Sequence, residues 1–142
     1  AQLAHAPNIR LETRTLPPDD RHALTACADI VLSLHRSEGF GLVLAEAMLL
    51  GKPVVATGWS GNTDFMDPTN AALVGYRLVP ARDNRSVYRG LWAEPDVADA
   101  AARLRTLADD AELRRDIGER ARVSTLRRLD GRELAAALGS LA

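Results

Sequence analysis

Ile30-Val31-Leu32-Ser33-Leu34, then Glu38-Gly39-Phe40-Gly41, then Leu42 through Leu50, then Gly51-Lys52-Pro53-Val54-Val55-Ala56-Thr57: an apolar run, a glycine turn, an apolar helical stretch and a second apolar run follow one another. The first run is short and rich in β-branched residues, which suits a strand buried on both faces. Leu42 to Leu50 is apolar nearly all round and stops at Gly51, a usual residue just past a helix end, so it reads as a buried helix. Pro53 to Thr57 is the next strand, its proline at the first residue, where a missing N–H is tolerated.

Outward from this core the same alternation continues. Ile9 to Thr13 alternates apolar and polar residues and predicts a strand, and Pro17-Pro18-Asp19-Asp20 opens a helix carrying Leu24, Cys27 and Ala28. Gly58 to Asn62 is a loop, Leu73 to Val79 predicts one more strand, and Pro80 to Gly90 is polar and irregular. Pro95-Asp96 starts a helix whose apolar positions Val97, Ala100, Ala101, Leu104, Leu107 and Ala108 follow a period of 3.6. Asp109 and Glu112 have capping-box spacing ahead of a further helix with a Leu113, Ile117, Ala121 stripe and an Asp116–Arg120 pair. Gly131 to Leu138 predicts a last short helix. Strands alternating with helices imply an α/β fold, a parallel sheet covered on both faces. Ligands of such sheets sit beyond the carboxyl ends of the strands, here the loops His35–Gly41 and Gly58–Thr63.

With 142 residues, 46% of them apolar, the chain holds one packed core, a single domain or part of one. Eighteen basic and 19 acidic residues nearly cancel, so no basic field exists to hold nucleic acid. Cys27 is the single cysteine and excludes a disulfide framework, which fits a reducing, cytosolic setting. No stretch approaches the ~20 apolar residues needed to span a bilayer, and the N-terminus lacks the order of a signal peptide. Together with that cysteine, the scattered His5, His22 and His35 make no metal site.

Gly39 and Gly41 flank Phe40 just before a helix, so backbone can approach a ligand and the first helical N–H groups point at it. A diphosphate fits such a spot, although a tight strand-to-helix turn accounts for the glycines equally well, and neither a lysine-containing phosphate loop nor the three-glycine dinucleotide fingerprint is present. Glu46 is the one charge in an apolar helix. A buried carboxylate needs donors, and two explanations stand: the adjacent hydroxyls of a ribose, or an ion pair with Lys52 or Arg36. Glu38 lies at the end of the loop, within reach of a sugar held by its phosphate, or is a solvated turn residue. His35 and Arg36 are candidates for sugar and phosphate contacts, with local pairing as the alternative. Trp59 either lines the pocket or packs, while Tyr88 and Trp92 read as packing residues.

Glu38 and Glu46, with seven residues between them, followed by Ala47-Met48 and Gly51-Lys52-Pro53-Val54-Val55-Ala56, resemble the donor-site signature of the group 1 glycosyltransferases, retaining enzymes of the GT-B fold. Ala28-Asp29-Ile30-Val31-Leu32 and Asp109-Asp110-Ala111-Glu112-Leu113-Arg114 resemble neighbouring segments of the family, so the likeness runs from Ile9 to Arg122. It implies a Rossmann-like domain in which Glu38 contacts the donor sugar, the amides of Gly39, Phe40, Gly41 and Leu42 face sugar and diphosphate, and Glu46 holds the ribose diol. The implied reaction transfers a sugar from a nucleoside diphosphate to an acceptor hydroxyl with retention and no required metal or cofactor. The family's basic Arg and Lys pair and its acceptor domain are not visible. Residues 1–142 are therefore expected to be part of the C-terminal donor-binding domain, inactive alone, with the glycan or lipid-linked acceptor bound by an N-terminal domain. A cytoplasmic location, peripheral at the inner face of the membrane, is the corresponding expectation. A nucleotide-sugar epimerase of the same fold and a noncatalytic binding module are the rival readings.

Overall fold

The computed structural model describes residues 7–81 and 90–132. Helix α1 (Pro18–Cys27) leads into strand β1 (Val31–Ser33), helix α2 (Leu42–Leu49), strand β2 (Val54–Thr57), a 3-10 turn (Gly61–Asp64) and strand β3 (Ala72–Val74). Strands β4 (Tyr76–Pro80) and β5 (Leu91–Pro95) and helices α3 (Val97–Asp109) and α4 (Ala111–Arg128) complete it. β1, β2 and β3 form a parallel sheet in that order, with Val31 opposite Val54 and Val55 opposite Ala72. The expected α/β fold with a parallel sheet is present, and no helix among the described residues is long and apolar enough to cross a membrane.

β2 is the centre of the core, and its pleat explains why both faces are covered. Val54 and Ala56 pack with Leu44, Met48, Phe65 and Ala121, whereas Val55 packs with Val74, Ala100 and Leu107. One face is therefore closed by α2 and the other by α3. α4 serves both, with Leu113 and Ile117 against the second cluster and Ala121 in the first. The predicted helix over Val97 to Ala108 is present, capped by the Asp96 side chain, which accepts from the amides of Ala98 and Asp99. The cap of α4 is Asp110 rather than Asp109, because it is the Asp110 carboxylate that accepts from Leu113 N. Asp116 and Arg120 do pair, at 3.0 Å.

Three expectations are corrected. Ile9 to Thr13 forms no strand: the Glu12 carboxylate takes the Arg14 amide at 2.9 Å and its guanidinium as well, a local closure that draws the Glu12 pKa down to about 2. α1 forms where expected, with Leu24 and Cys27 exposed. Among the described residues β1 is an edge strand, paired with β2 alone, and Leu32 is 46% exposed instead of buried. The single strand expected over Leu73 to Val79 is two. Gly75 donates its N–H to Asp99 Oδ2 at 2.8 Å and accepts from Asp96 N at 2.8 Å, so the start of α3 takes both groups and the chain leaves the parallel sheet. Beyond that break β4 pairs antiparallel with β5, Tyr76 opposite Pro95. Most of the irregular segment Pro80 to Gly90, with Tyr88, and most of the helix predicted from Gly131 lie outside the described residues.

Candidate functional site

α2 begins at a residue that only glycine suits well. Gly41 has φ 92° and ψ 47°, and its carbonyl accepts from both Leu44 N and Ala45 N. The amides of Leu42 and Val43 then have no acceptor within the helix, and the positive end of its dipole lies with them. They border a cleft of about 490 Å³ between β1 and the start of α2, with Val31, Leu32 and Ser33 on one side and Phe40 to Leu44 on the other. Glu38 stands on its lip. The Phe40 ring packs on Phe65 with centroids 5.0 Å apart, tying the turn to the core.

The two strand-end loops hold each other through the Glu38 peptide. Glu38 N donates to Ser60 Oγ at 2.7 Å, and Gly61 N donates to the Glu38 carbonyl at 3.1 Å. A Cβ on Gly61 would fall 2.1 Å from Gly39 O, so the approach excludes any side chain there. Asn62, fully buried, donates to Thr57 O at 3.0 Å while its Oδ1 lies 3.0 Å from His35 Nε2. α4 secures the far side of this loop: Asn70 Nδ2 reaches Phe65 O and Ser124 Oγ, and Arg128 donates to Asp64 O at 2.8 Å.

The candidate residues divide accordingly. Glu38, Phe40, Gly41 and Leu42 line one cleft, and Gly39 is the exposed link between them. Glu46 lies one turn along α2 from Leu42 and does not line it. The premise of its burial is corrected, since its side chain is 38% exposed, because the surface of α2 that carries Leu42 and Val43 is itself exposed. Among the described residues its ion-pair partner is Arg21 of α1 at 3.9 Å, not Lys52 or Arg36. Arg36 pairs with Glu94 at 2.7 Å and lies 5.9 Å from the Trp92 ring, so it docks the β4–β5 hairpin. His35 is bound by Ser33 Oγ, Trp59 O and Asn62 Oδ1, and the Trp59 ring packs on Tyr76 at 5.3 Å. Among the described residues no three His, Cys, Asp or Glu side chains converge to hold a metal ion.

Ser60, Asn62 and Arg21 escaped the reading of the sequence. A run of Gly, Ser and Asn announces a turn. Which of its polar groups turn inward depends on the loop opposite, and that is visible only in three dimensions.

The model of the family described as glycosyl transferases group 1 matches residues 13–124. Sulfoquinovosyl transferase SQD2 of Arabidopsis thaliana is 34% identical over 113 residues, which cover 80% of this chain and 19% of the relative. N-acetyl-alpha-D-glucosaminyl L-malate synthase of Bacillus anthracis is 35% identical over 120 residues, 82% of this chain and 27% of the relative. The crystal structure of HepE from Anabaena, in complex with UDP, superposes with a TM-score of 0.62 at 26% identity, over 82% of this chain and 29% of that one. A second structure of HepE, with UDP and glucose, gives the same TM-score. The chain thus spans between a fifth and a third of the length of these proteins.

Proposed function

The chain belongs to the group 1 glycosyl transferases, and from that premise we propose that it forms the donor-binding side of a retaining enzyme that moves a sugar from a nucleoside diphosphate to an acceptor hydroxyl. One observation carries the reading: the left-handed Gly41 turns the first amides of α2 onto the cleft on whose lip Glu38 stands. Negative charge grows on the diphosphate as the sugar leaves. Fixed N–H dipoles at a helix start stabilise that charge without reorganising, and a metal ion is not required for it. Phosphate at Gly41 and Leu42 puts the sugar toward Glu38, whose carboxylate accepts from its hydroxyls, while Glu46 accepts from the ribose diol one helical turn away.

The acceptor, a glycan or a lipid-linked sugar, is bound by a further domain of the whole protein, and residues 1–142 alone bind donor without transferring it. The free, exposed thiol of Cys27 fits a cytoplasmic setting. The UDP complex of HepE supports a nucleoside diphosphate as the recognised class.

Calorimetric titration of UDP, GDP, UDP-glucose and GDP-mannose tests the reading. At least one diphosphate should bind the folded protein, and its sugar nucleotide should bind more tightly. A folded protein that binds none of the four is a noncatalytic module, with Glu46 serving Arg21 only. The anomeric configuration of product formed by the full-length gene product, read by NMR, tests retention.

A further inference from the structure

We propose that Ser60 is a positioning residue for the donor sugar: its hydroxyl, carried on a backbone conformation proper to glycine, fixes the Glu38 peptide at the lip of the cleft. The proposal rests on the donor-site reading above.

Ser60 has φ 72° and ψ −151°, and it is the one non-glycine residue with positive φ among those described. That region is nearly confined to glycine, because a Cβ crowds the backbone there. A strained residue persists when its surroundings over-determine it. Here the Ser60 carbonyl accepts from Thr63 N at 3.0 Å and Thr63 Oγ1 at 2.7 Å, while its Oγ accepts from Glu38 N at 2.7 Å. Glycine in this place would relieve the strain and lose only the last of these bonds. The serine hydroxyl therefore has one visible task, which is to hold residue 38.

The task matters because, among the described residues, no other side chain directs Glu38. Among the described residues no cation lies within salt-bridge distance of its carboxylate and no donor binds it. Its placement is left to the backbone, whose amide is held by Ser60 and whose carbonyl is held by Gly61. Loss of one anchor frees the peptide to rotate about the other. The carboxylate then meets the sugar hydroxyls in fewer productive orientations, whereas the diphosphate, bound at the start of α2, is unaffected.

Strain and function thus pull in opposite directions at Ser60, and Ser60→Gly separates them. A merely structural residue in a glycine conformation is improved or unchanged by glycine. A positioning residue is not. Ser60→Ala keeps the strain and loses the bond, so it should share the functional loss but not the gain in stability.

The full-length gene product serves for the measurement, with UDP, GDP, UDP-glucose and GDP-mannose titrated into wild type, Ser60→Gly, Ser60→Ala, Glu38→Ala and the Ser60→Gly/Glu38→Ala double variant. For whichever pair the wild type binds, the advantage of the sugar nucleotide over its bare diphosphate should fall about fivefold to tenfold in Ser60→Gly, the loss of roughly one hydrogen bond. Binding of the bare diphosphate should stay within about twofold, and the melting temperature should equal or exceed that of wild type. Hydrogen exchange at the Glu38 amide should accelerate in both Ser60 variants. In the Glu38→Ala background Ser60→Gly should cost nothing more, since the two act in series. Retention of the sugar advantage and of Glu38 protection in Ser60→Gly would overturn the proposal, as would equal losses for diphosphate and sugar nucleotide. A wild type that binds a diphosphate but shows no sugar advantage overturns it too. A wild type that binds none of the four ligands instead removes the donor-site reading, and with it the premise of this one.

Discussion

Gly61 and Gly39 are in backbone contact so close that a Cβ on Gly61 would lie 2.1 Å from the Gly39 carbonyl oxygen and 2.9 Å from Phe40 Cα. Neither atom belongs to a flexible side chain, so relief requires the loop after β1 and the loop after β2 to part. That separation would break the Gly61 N–H bond to Glu38 O and carry Glu38 away from the cleft. Gly61→Ala is accordingly expected to destabilise the domain by about 1–3 kcal/mol, the usual range for overpacking a tight contact. It should also abolish the preference for a sugar nucleotide over its diphosphate. Chemical denaturation checks the first effect and calorimetry the second. Wild-type values for both would show that the loops yield without cost.

Glu46 offers a cleaner separation of structure from binding. Its side chain is 38% exposed and that of its partner Arg21 is 51% exposed, the two 3.9 Å apart, a pair that contributes at most about 1 kcal/mol. Arg21→Ala should therefore leave stability within that margin and nucleotide binding unchanged. Glu46→Gln, by contrast, removes the charged acceptor proposed for the ribose diol and should weaken UDP or GDP binding about tenfold, the value of one charge-assisted hydrogen bond. A nucleotide lacking both ribose hydroxyls should bind wild type and Glu46→Gln alike. Equal binding of the natural nucleotide by both proteins would leave Glu46 with Arg21 alone.

Much of this was legible before the structure. Val54 to Thr57 reads as a buried strand because an unbroken apolar run has no exposed face to declare, and Gly39-Phe40-Gly41 announces the turn on which the cleft depends. Periodicity placed α3 because Ala100, Leu104 and Leu107 really do face one cluster. The failures share a cause, namely that exposure is set by neighbours. Leu32 has the composition of a buried residue but sits on an edge strand, and Glu46 stands alone among apolar residues whose outward surface is not covered. The break at Gly75 was hidden for a related reason: Asp99, 24 residues away, takes the N–H that a continuous strand would have used. The loop over Ser60 and Asn62 was legible as a strand-end loop, but not the inward turn of its polar groups, since their hydrogen bonds run to Glu38 and His35 across the sheet end.

That Gly75–Asp99 bond makes the junction sensitive to acid. The Gly75 N–H at 2.8 Å, and after it the Arg103 guanidinium at 2.9 Å, hold the Asp99 pKa below its ordinary value. Asp67 shifts in the same direction, chiefly through the Thr69 hydroxyl. A carboxylate whose pKa is lowered by folding contributes stability that is complete above the unfolded value near about 4 and is lost as the pH falls through the lower folded value. Asp99→Asn should cost about 1 kcal/mol or less at neutral pH, given the exposure of the pair, and should flatten the decline in stability below about pH 4. Denaturation midpoints between neutral pH and acid check this, and an unchanged acid limb would assign the decline to other groups.

The remaining loop contact fixes a tautomer. His35 Nε2 lies 3.1 Å from Trp59 O and 3.0 Å from Asn62 Oδ1, and both atoms are acceptors, the second because Asn62 Nδ2 donates to Thr57 O. Nε2 must then carry the hydrogen of the neutral ring, which leaves Nδ1, 3.1 Å from Ser33 Oγ, to accept from the hydroxyl. Nitrogen NMR should show His35 as the Nε2–H tautomer, and Ser33→Ala should not change it, because the two acceptors remain. Asn62→Leu removes one acceptor from His35 and the side-chain donor from Thr57 O, which still accepts from Trp59 N at 2.9 Å, so about 0.5–1.5 kcal/mol of stability should be lost for each bond removed. Donor discrimination should weaken with it, since Asn62 follows directly on the Ser60-Gly61 pair that holds Glu38. An Nδ1–H tautomer in the wild type would mean that the Asn62 amide is turned the other way, donating to His35 Nε2 and no longer to Thr57 O.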